Sequence, residues 1–94
     1  MRRIEPTTAF RRDYKRVAAS PRHRDIATVL PPLLELLVAD RTLPARHRDH
    51  GLSGDWVDHR ECHLKPDLLL IYRKSGDDML RLVRLGSHSE LFGR

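Results

Sequence analysis

The spacing of the apolar residues changes midway along this 94-residue chain, and that change constrains the fold more than any other feature. Before residue 44 the apolar residues recur at helical spacing, whereas after residue 54 they form the short runs typical of β-strands. The length allows one domain, residues 1–94, with a small core. The sequence therefore predicts helices followed by strands within a single α+β domain.

The first half of the chain predicts a short strand at residues 1–4, ended by Pro6, and two amphipathic helices at about residues 9–19 and 25–39. Thr7 or Thr8 is the expected N-cap of the first helix. The two apolar stripes consist of Phe10, Tyr14, Val17 and Ala18 on the first helix and of Ile26, Leu30, Leu33 and Leu37 on the second.

Pro31-Pro32 lies inside the second apolar stripe. An interior proline costs about 3 kcal/mol or more, because it removes a hydrogen bond and clashes with the preceding turn. The second helix therefore either kinks near residues 27–31 or begins its regular part at Pro31, where proline is tolerated. A kink is favoured, because the stripe stays in phase across the prolines.

The second half predicts a polar loop at residues 45–54 and three strands, at residues 55–64, Leu68–Tyr72 and Met79–Leu85. Short connections favour an antiparallel meander. Ser87–Glu90 has the spacing of a capping box and predicts a final helical turn. The expected order is β-α-α-β-β-β, with both N-terminal helices packed on one face of a small antiparallel sheet.

Composition narrows the class of protein. The mean hydropathy is −0.55, and the longest apolar-rich stretch, Leu33–Ala39, is far shorter than the ~20 residues of a membrane span. The first six residues lack the apolar segment of a secretory signal. Cys62 is the only cysteine, which excludes an internal disulfide and fits a reducing compartment. We therefore expect a cytoplasmic domain without a membrane partner.

Positive charge is concentrated in the first half of the chain. The net charge is +5, but residues 1–48 carry eleven basic and five acidic residues, whereas residues 49–94 carry seven and eight. The basic side of the first helix consists of Arg11, Arg12, Lys15 and Arg16. This distribution favours a surface that binds a polyanion, and its alternative is a solvated helix face.

Six histidines are present, four of them between His47 and His63, and a metal site is one interpretation. The candidate ligands are His47, His50, His59, Cys62, His63 and Asp67. On a strand, however, His59 and His63 would lie about 13 Å apart, and Cys62 would face the other side. Two loop histidines alone do not make a structural zinc site. No metal or other cofactor is therefore predicted.

An acid/base site is the second interpretation, built from His50, His63, Asp67, His88 and Arg84. Histidine suits proton transfer near neutral pH, and an arginine can stabilise charge on a phosphate. Such a set suits cleavage of RNA by its own 2′-hydroxyl, which needs a base, an acid and a cation but no metal. Each of these residues also has a structural alternative, such as a solvated loop histidine or a turn aspartate.

Four segments resemble one known family, the YafQ-type toxins of the RelE-like superfamily of bacterial toxin–antitoxin systems. They are Asp49–Trp56 (DHGLSGDW), Arg60–Asp67 (RECHLKPD), Leu70–Tyr72 (LIY) and Arg84–Gly93 (RLGSHSELFG). The resemblance extends over the whole chain in length and element order, and its specific part is residues 49–93.

The resemblance implies a toxin that enters the A site of the 70S ribosome, cleaves the bound mRNA and is blocked by a cognate antitoxin. It implies acid/base roles for His50, His63, Asp67 and His88. It also implies phosphate stabilisation by Arg84 and base contact by Phe92. His50 or His63 is the expected base and His88 the expected acid. The alternatives are a non-catalytic module that binds RNA or the ribosome and a metal-dependent hydrolase.

Overall fold

Three α-helices and a five-stranded sheet form the fold of residues 1–93, the part of the chain that this computed structural model describes. In chain order they are β1 (Arg3–Pro6), α1 (Thr8–Ala19), α2 (Ile26–Val38), β2 (His50–Gly51), β3 (Arg60–Lys65), β4 (Leu68–Ser75), β5 (Met79–Gly86) and α3 (His88–Phe92). The predicted α+β class and the order of the main elements are confirmed.

The sheet has the strand order β1-β5-β4-β3-β2. Strands β3, β4 and β5 form the predicted antiparallel meander, but β1 runs parallel to β5, so the sheet is mixed rather than antiparallel. The strand ends at Pro6, as predicted, and Pro6 is itself its last residue, opposite Leu82. Proline is tolerated there because β1 is an edge strand, where an N–H can be missing without breaking an internal ladder.

Strand β3 begins later in the chain than residue 55, the start that the sequence predicts. Gly54–Trp56 form a 3₁₀ turn, and Asp58 has a left-handed backbone with φ of 71°, so the strand begins only at Arg60. Within the predicted loop, His50 and Gly51 form the two-residue strand β2, which pairs with β3. A strand this short carries no periodicity that a sequence pattern reveals.

Helices α1 and α2 cover one face of the sheet and enclose the larger core. Thr7 caps α1, since its hydroxyl oxygen accepts a hydrogen bond from the Phe10 N–H at 3.0 Å. Helix α2 begins at Ile26 and continues through Pro31-Pro32, so the alternative in which the helix begins at Pro31 is wrong. Pro31 and Pro32 have no N–H to donate to the carbonyls of Ala27 and Thr28 in the preceding turn. All four residues are exposed.

The opposite face of the sheet carries a smaller apolar cluster beneath α3. Leu69, Ile71 and Leu91 are buried there, with Trp56 and Phe92 packed against them.

Among residues 1–93, no helix is long and apolar enough to cross a bilayer. The short helix α3 follows the predicted capping box, which is present between Ser87 and Glu90.

A buried carboxylate ties the helical layer to the sheet. The Asp13 side chain on α1, 5% exposed, accepts hydrogen bonds from Arg84 Nε at 2.6 Å and from the Leu85 N–H at 3.0 Å. Arg16 Nη1 donates to the same carboxylate at 2.9 Å, and Arg16 Nε lies 3.0 Å from Glu90 of α3. One acidic residue thus joins α1 to β5 and, through Arg16, to α3.

We expect Asp13→Asn to lower the free energy of unfolding by about 2–3 kcal/mol at pH 7, because it leaves the Arg84 guanidinium without its counter-charge. Burial would raise the pKa of Asp13, but the hydrogen bonds from Arg84, Leu85 and Arg16 outweigh it and lower that pKa below the ordinary 3.8. The stabilisation is therefore present at neutral pH and is lost as the pH falls from 3.8 through the lowered native value. Urea denaturation against pH checks this, with Asp77→Asn in an exposed turn as the control. Equal stability of the two variants would contradict it.

Candidate functional site

Three histidines gather around one buried carboxylate on the face of the sheet that carries α3. Glu61 on β3 is 4% exposed, and His88 Nε2 lies 3.3 Å from its Oε1. His63 Nε2 lies 3.7 Å from the same oxygen, and His50 Nε2 lies 3.6 Å from Oε2. The three rings come from α3, β3 and β2, so three separate elements meet at this point.

Strand geometry explains why these side chains converge. Glu61 and His63 are two residues apart on β3 and so point to the same face. His50 lies directly opposite Glu61 in the β2–β3 pair, which places both side chains on that face as well. His88 is the first residue of α3, immediately after β5 ends at Gly86.

The segment before His50 is fixed by hydrogen bonds. The Tyr72 hydroxyl donates to Asp49 Oδ1 at 2.5 Å, and Arg60 Nε donates to the same oxygen at 3.2 Å. The Arg48 carbonyl lies 2.7 Å from His50 Nδ1. Since a carbonyl only accepts, Nδ1 carries the hydrogen, and in the neutral ring Nε2 holds the free lone pair that faces the cluster.

His63 lies in an environment that favours the neutral ring. Burial is the main cause of its lowered pKa, and the positive charges of His88, Arg48 and His50 act in the same direction. The negative charge of Glu61 opposes them. A histidine that stays neutral near pH 7 is able to accept a proton.

An aromatic surface adjoins the histidines. The Phe92 ring lies 5.7 Å from the His88 ring and 6.3 Å, edge to face, from Trp56. Trp56 in turn contacts His59 at 5.5 Å, and the His63 and His88 rings are 6.0 Å apart. Phe92 is only partly buried, so part of its ring remains accessible beside the histidines.

The position of α3, and with it of His88 and Phe92, depends on close packing at Gly86. A Cβ at this residue would come within 3.0 Å of both Arg16 Nη2 and Glu90 Oε1. Glycine thus allows the Arg16–Glu90 ion pair to pass against the strand end. The side chain of Glu90 also accepts a hydrogen bond from the Ser87 N–H at 2.9 Å, which completes the cap of α3.

A basic groove leads away from His63. It has a volume of about 470 Å³ and is lined by Arg46, His47, Arg48, His63, Leu64, Lys65 and Pro66. His47 Nδ1 lies 2.7 Å from the His63 carbonyl, which fixes the loop against β3. Arg46 and Arg48 are exposed, and within residues 1–93 no acidic side chain pairs with either. Neither arginine is among the residues predicted from the sequence, although the run Arg46-His47-Arg48 is a visible cluster of basic residues in the predicted loop.

Two of the predicted site residues are engaged elsewhere. Asp67 follows β3 in the turn to β4, and its Oδ2 pairs with Arg22 at 2.5 Å and lies 3.8 Å from His23. Arg84 is bound to Asp13, and that hydrogen bond is the main cause of its raised pKa. The structure therefore brings together His50, His63 and His88, while the side-chain partners of Asp67 and Arg84 lie outside the cluster.

The basic side of α1 is largely free, as its spacing predicts. Arg11, Arg12 and Lys15 are exposed, and the part of the chain that is described contains no acidic partner for them. Arg16 is an exception, since it is bound to Asp13, to Glu90 and to the Leu85 carbonyl. Because α1 covers the face of the sheet opposite α3, this basic surface and the histidines lie on opposite sides of the molecule.

The other candidate metal ligands have ordinary structural surroundings. Cys62 is buried in the helical-side core, and burial raises its thiol pKa, so it is an inert apolar residue. His59 precedes β3 and packs on Trp56. Over residues 1–93, no three His, Cys, Asp or Glu side chains are arranged to hold a metal ion.

Glu61 is the functional candidate that sequence reasoning missed. Strand alternation places it on the same face as His63, and an acidic side chain next to buried Cys62 is unusual enough to be noticed. Its partners were not visible, because His50 and His88 reach it from elements whose register the sequence does not specify.

Comparisons with known proteins identify the family. A model of the family described as "Bacterial toxin of type II toxin-antitoxin system, YafQ" matches residues 2–93. The chain is 40% identical over 93 residues to the mRNA interferase toxin YafQ of Escherichia coli strain K12, covering 98% of this chain and 97% of that protein.

Solved structures agree with the sequence match. The crystal structure of YafQ from E. coli strain BL21(DE3) superimposes with a TM-score of 0.86 at 37% identity, over 99% of this chain and all of that one. YafQ in the crystal structure of the E. coli DinJ–YafQ complex gives 0.84 at 38% identity, over 99% of this chain and all of that one. The chain therefore belongs to the YafQ family of bacterial type II toxin–antitoxin toxins.

Proposed function

We propose that this chain is an mRNA interferase, an endoribonuclease that cleaves mRNA in the ribosomal A site in the cytoplasm and thereby stops translation. The observation that carries the proposal is the cluster of His50, His63 and His88 beside the partly open ring of Phe92. The names of the E. coli relatives as mRNA interferase toxins support the same activity.

The proposed reaction is a transfer of the phosphodiester to the neighbouring 2′-oxygen. His63 takes the proton of the 2′-hydroxyl, because its lowered pKa keeps the ring neutral, and the 2′-oxygen attacks the phosphorus. His88 donates a proton to the departing 5′-oxygen. The products are a 2′,3′-cyclic phosphate and a 5′-hydroxyl, and His50 is the alternative base.

Charge on the phosphorane needs cations, and the groove next to His63 supplies them in this proposal. Arg48 and Arg46 line that groove and are free to contact phosphate oxygens. Phe92 would stack on a base of the codon, a contact worth about 1–3 kcal/mol. The roles of Asp67 and Arg84 rest on the resemblance alone, since each is held in an ion pair outside the cluster.

Two basic surfaces on opposite sides of the chain support a ribosomal setting. A chain inserted between mRNA and ribosomal RNA would meet phosphates on both faces. We assign the histidine face to mRNA and the Arg11, Arg12 and Lys15 face to ribosomal RNA. The partner that blocks the toxin is a cognate antitoxin, as the DinJ–YafQ complex of E. coli suggests. An acidic antitoxin segment that folds on binding would suit this basic chain.

Mapping of mRNA ends in a translation reaction tests the proposed reaction. Purified protein added to preformed ribosome complexes is expected to cut within the A-site codon, in the presence of enough EDTA to remove free transition metals. His88→Ala is expected to lower the single-turnover rate at least about 100-fold, since general acid catalysis typically contributes that much. His59→Ala, whose ring packs on Trp56, is the matched histidine control.

Each other outcome excludes part of the proposal. Ribosome binding without any cut would leave a non-catalytic RNA-binding module. Cleavage that stops with the chelator and returns with added metal would favour a metal-dependent hydrolase.

The pH profile identifies the base. With His63 as base, the rate falls toward acidic pH with a midpoint below 6.5, because the ring must be neutral to accept the proton. Arg48→Gln removes a positive charge that lowers the pKa of His63, so the midpoint is expected to rise in this variant. An unchanged midpoint in Arg48→Gln would argue against His63 as the base.

The basic side of α1 predicts a salt-dependent association with ribosomes. The double variant Arg11→Glu, Lys15→Glu is expected to weaken binding and to flatten the plot of log affinity against log salt, because fewer counterions are released. The charge-matched control is the double variant Arg3→Glu, Arg24→Glu. Both of these residues are exposed and neither belongs to α1. Equal salt dependence of the two double variants in a pelleting assay would argue against this surface.

A further inference from the structure

We infer that Glu61 is a positioning residue whose carboxylate orients His63 and His88 and compensates the one positive charge that these two rings carry before and after the reaction. The inference rests on the proposed function, since it assigns a task to a residue that touches the histidines rather than the RNA. No part of the proposed proton transfers uses Glu61 directly.

One oxygen of the Glu61 carboxylate, the buried Oε1, lacks a hydrogen-bond partner within the described chain. A bare carboxylate oxygen removed from water is costly unless a positive charge compensates it. His88 Nε2 lies 3.3 Å and His63 Nε2 3.7 Å from this oxygen, so the oxygen is placed to face an imidazolium at either ring.

The other buried acid, Asp13, has very different surroundings from Glu61. Asp13 receives hydrogen bonds from Arg84, Arg16 and the Leu85 N–H, as expected of a carboxylate that holds elements together. Glu61 has no such set of donors and faces ionisable rings instead. Its surroundings suit a group whose partners change protonation state.

The net charge of the histidine pair stays constant through the proposed reaction. In the proposed reaction His63 gains the 2′-hydroxyl proton while His88 gives one to the 5′-oxygen. The cluster therefore holds one imidazolium before the step and one after it, and the carboxylate compensates that charge in both states. After the products leave, the proton must return from His63 to His88, and Oε1 lies near the Nε2 atoms of both rings.

Glu61 differs in sign from the other charged groups that act on His63. The charges come from Glu61 on the same strand, His88 on α3, and Arg48 and His50 on the preceding segment. Of these four groups, Glu61 alone is negative. Without it, His63 would be surrounded by positive groups, and the imidazolium formed during the reaction would lose its counter-charge.

The test compares Glu61→Gln, which keeps the shape and removes the charge, with Asp58→Asn in the exposed loop before β3. We expect Glu61→Gln to lower kcat on ribosome complexes about 10- to 100-fold, the usual effect of removing a group that orients a histidine, with KM within about twofold. In an NMR titration of the same full-length variant, His63 is expected to titrate at lower pH than in the wild type, because Glu61 raises its pKa. Asp58→Asn is expected to leave both readouts unchanged.

Glu61→Asp provides the conservative rescue. It keeps the charge, so kcat and the His63 titration are expected to stay closer to wild type than in Glu61→Gln. Unchanged kcat and titration in Glu61→Gln would overturn the inference. So would loss of the folded state in Glu61→Gln, or equal loss of kcat in the Gln and Asp variants, because either outcome would give Glu61 a structural role. If the wild type does not cleave, the proposed function fails, whereas the titration still reports whether Glu61 and His63 are coupled.

Discussion

The fold depends on the buried Asp13 carboxylate, which joins parts of the chain that are about seventy residues apart. Its hydrogen bonds to Arg84 and to the Leu85 N–H fix α1 on β5. Arg16 extends the connection from α1 to Glu90, which also caps α3. Because His88 and Phe92 belong to α3, the Arg16–Glu90 ion pair contributes to fixing the position of these two rings.

The two buried acids show how the same chemical group serves different purposes. Asp13 is saturated with donors, and its pKa is lowered because those hydrogen bonds outweigh burial. Glu61 lies on the other face with one buried oxygen that has no donor in residues 1–93. A carboxylate that accepts several hydrogen bonds stabilises one arrangement of the elements around it. A buried carboxylate with an unbonded oxygen is stabilised by a nearby positive charge instead, and neighbouring histidines supply that charge only when they are protonated. The fold thus separates the acid that joins its elements from the acid that faces the three histidines.

Local sequence signals predicted the parts of the fold that local forces determine. The Thr7 cap, the four buried residues of α2 and the capping box of α3 all follow from spacing along the chain, and all are confirmed. The parallel pairing of β1, the short strand β2 and the partner of Arg84 were not predictable. Each depends on which distant segment becomes a neighbour, and a single sequence does not specify that register.

The same division applies to the site. The resemblance selected His50, His63 and His88 residue by residue, and the structure brings these three together around Glu61. The resemblance gave no reason to select Glu61. A residue that acts through other side chains does not itself donate or accept a proton in the proposed reaction, so the requirements of that reaction do not identify it. Strand alternation on β3 did place Glu61 beside His63, and its burial next to Cys62 is the physical clue. An acid on a strand that faces a histidine two residues away is therefore worth testing as a counter-charge whenever the site is proposed to move protons between histidines.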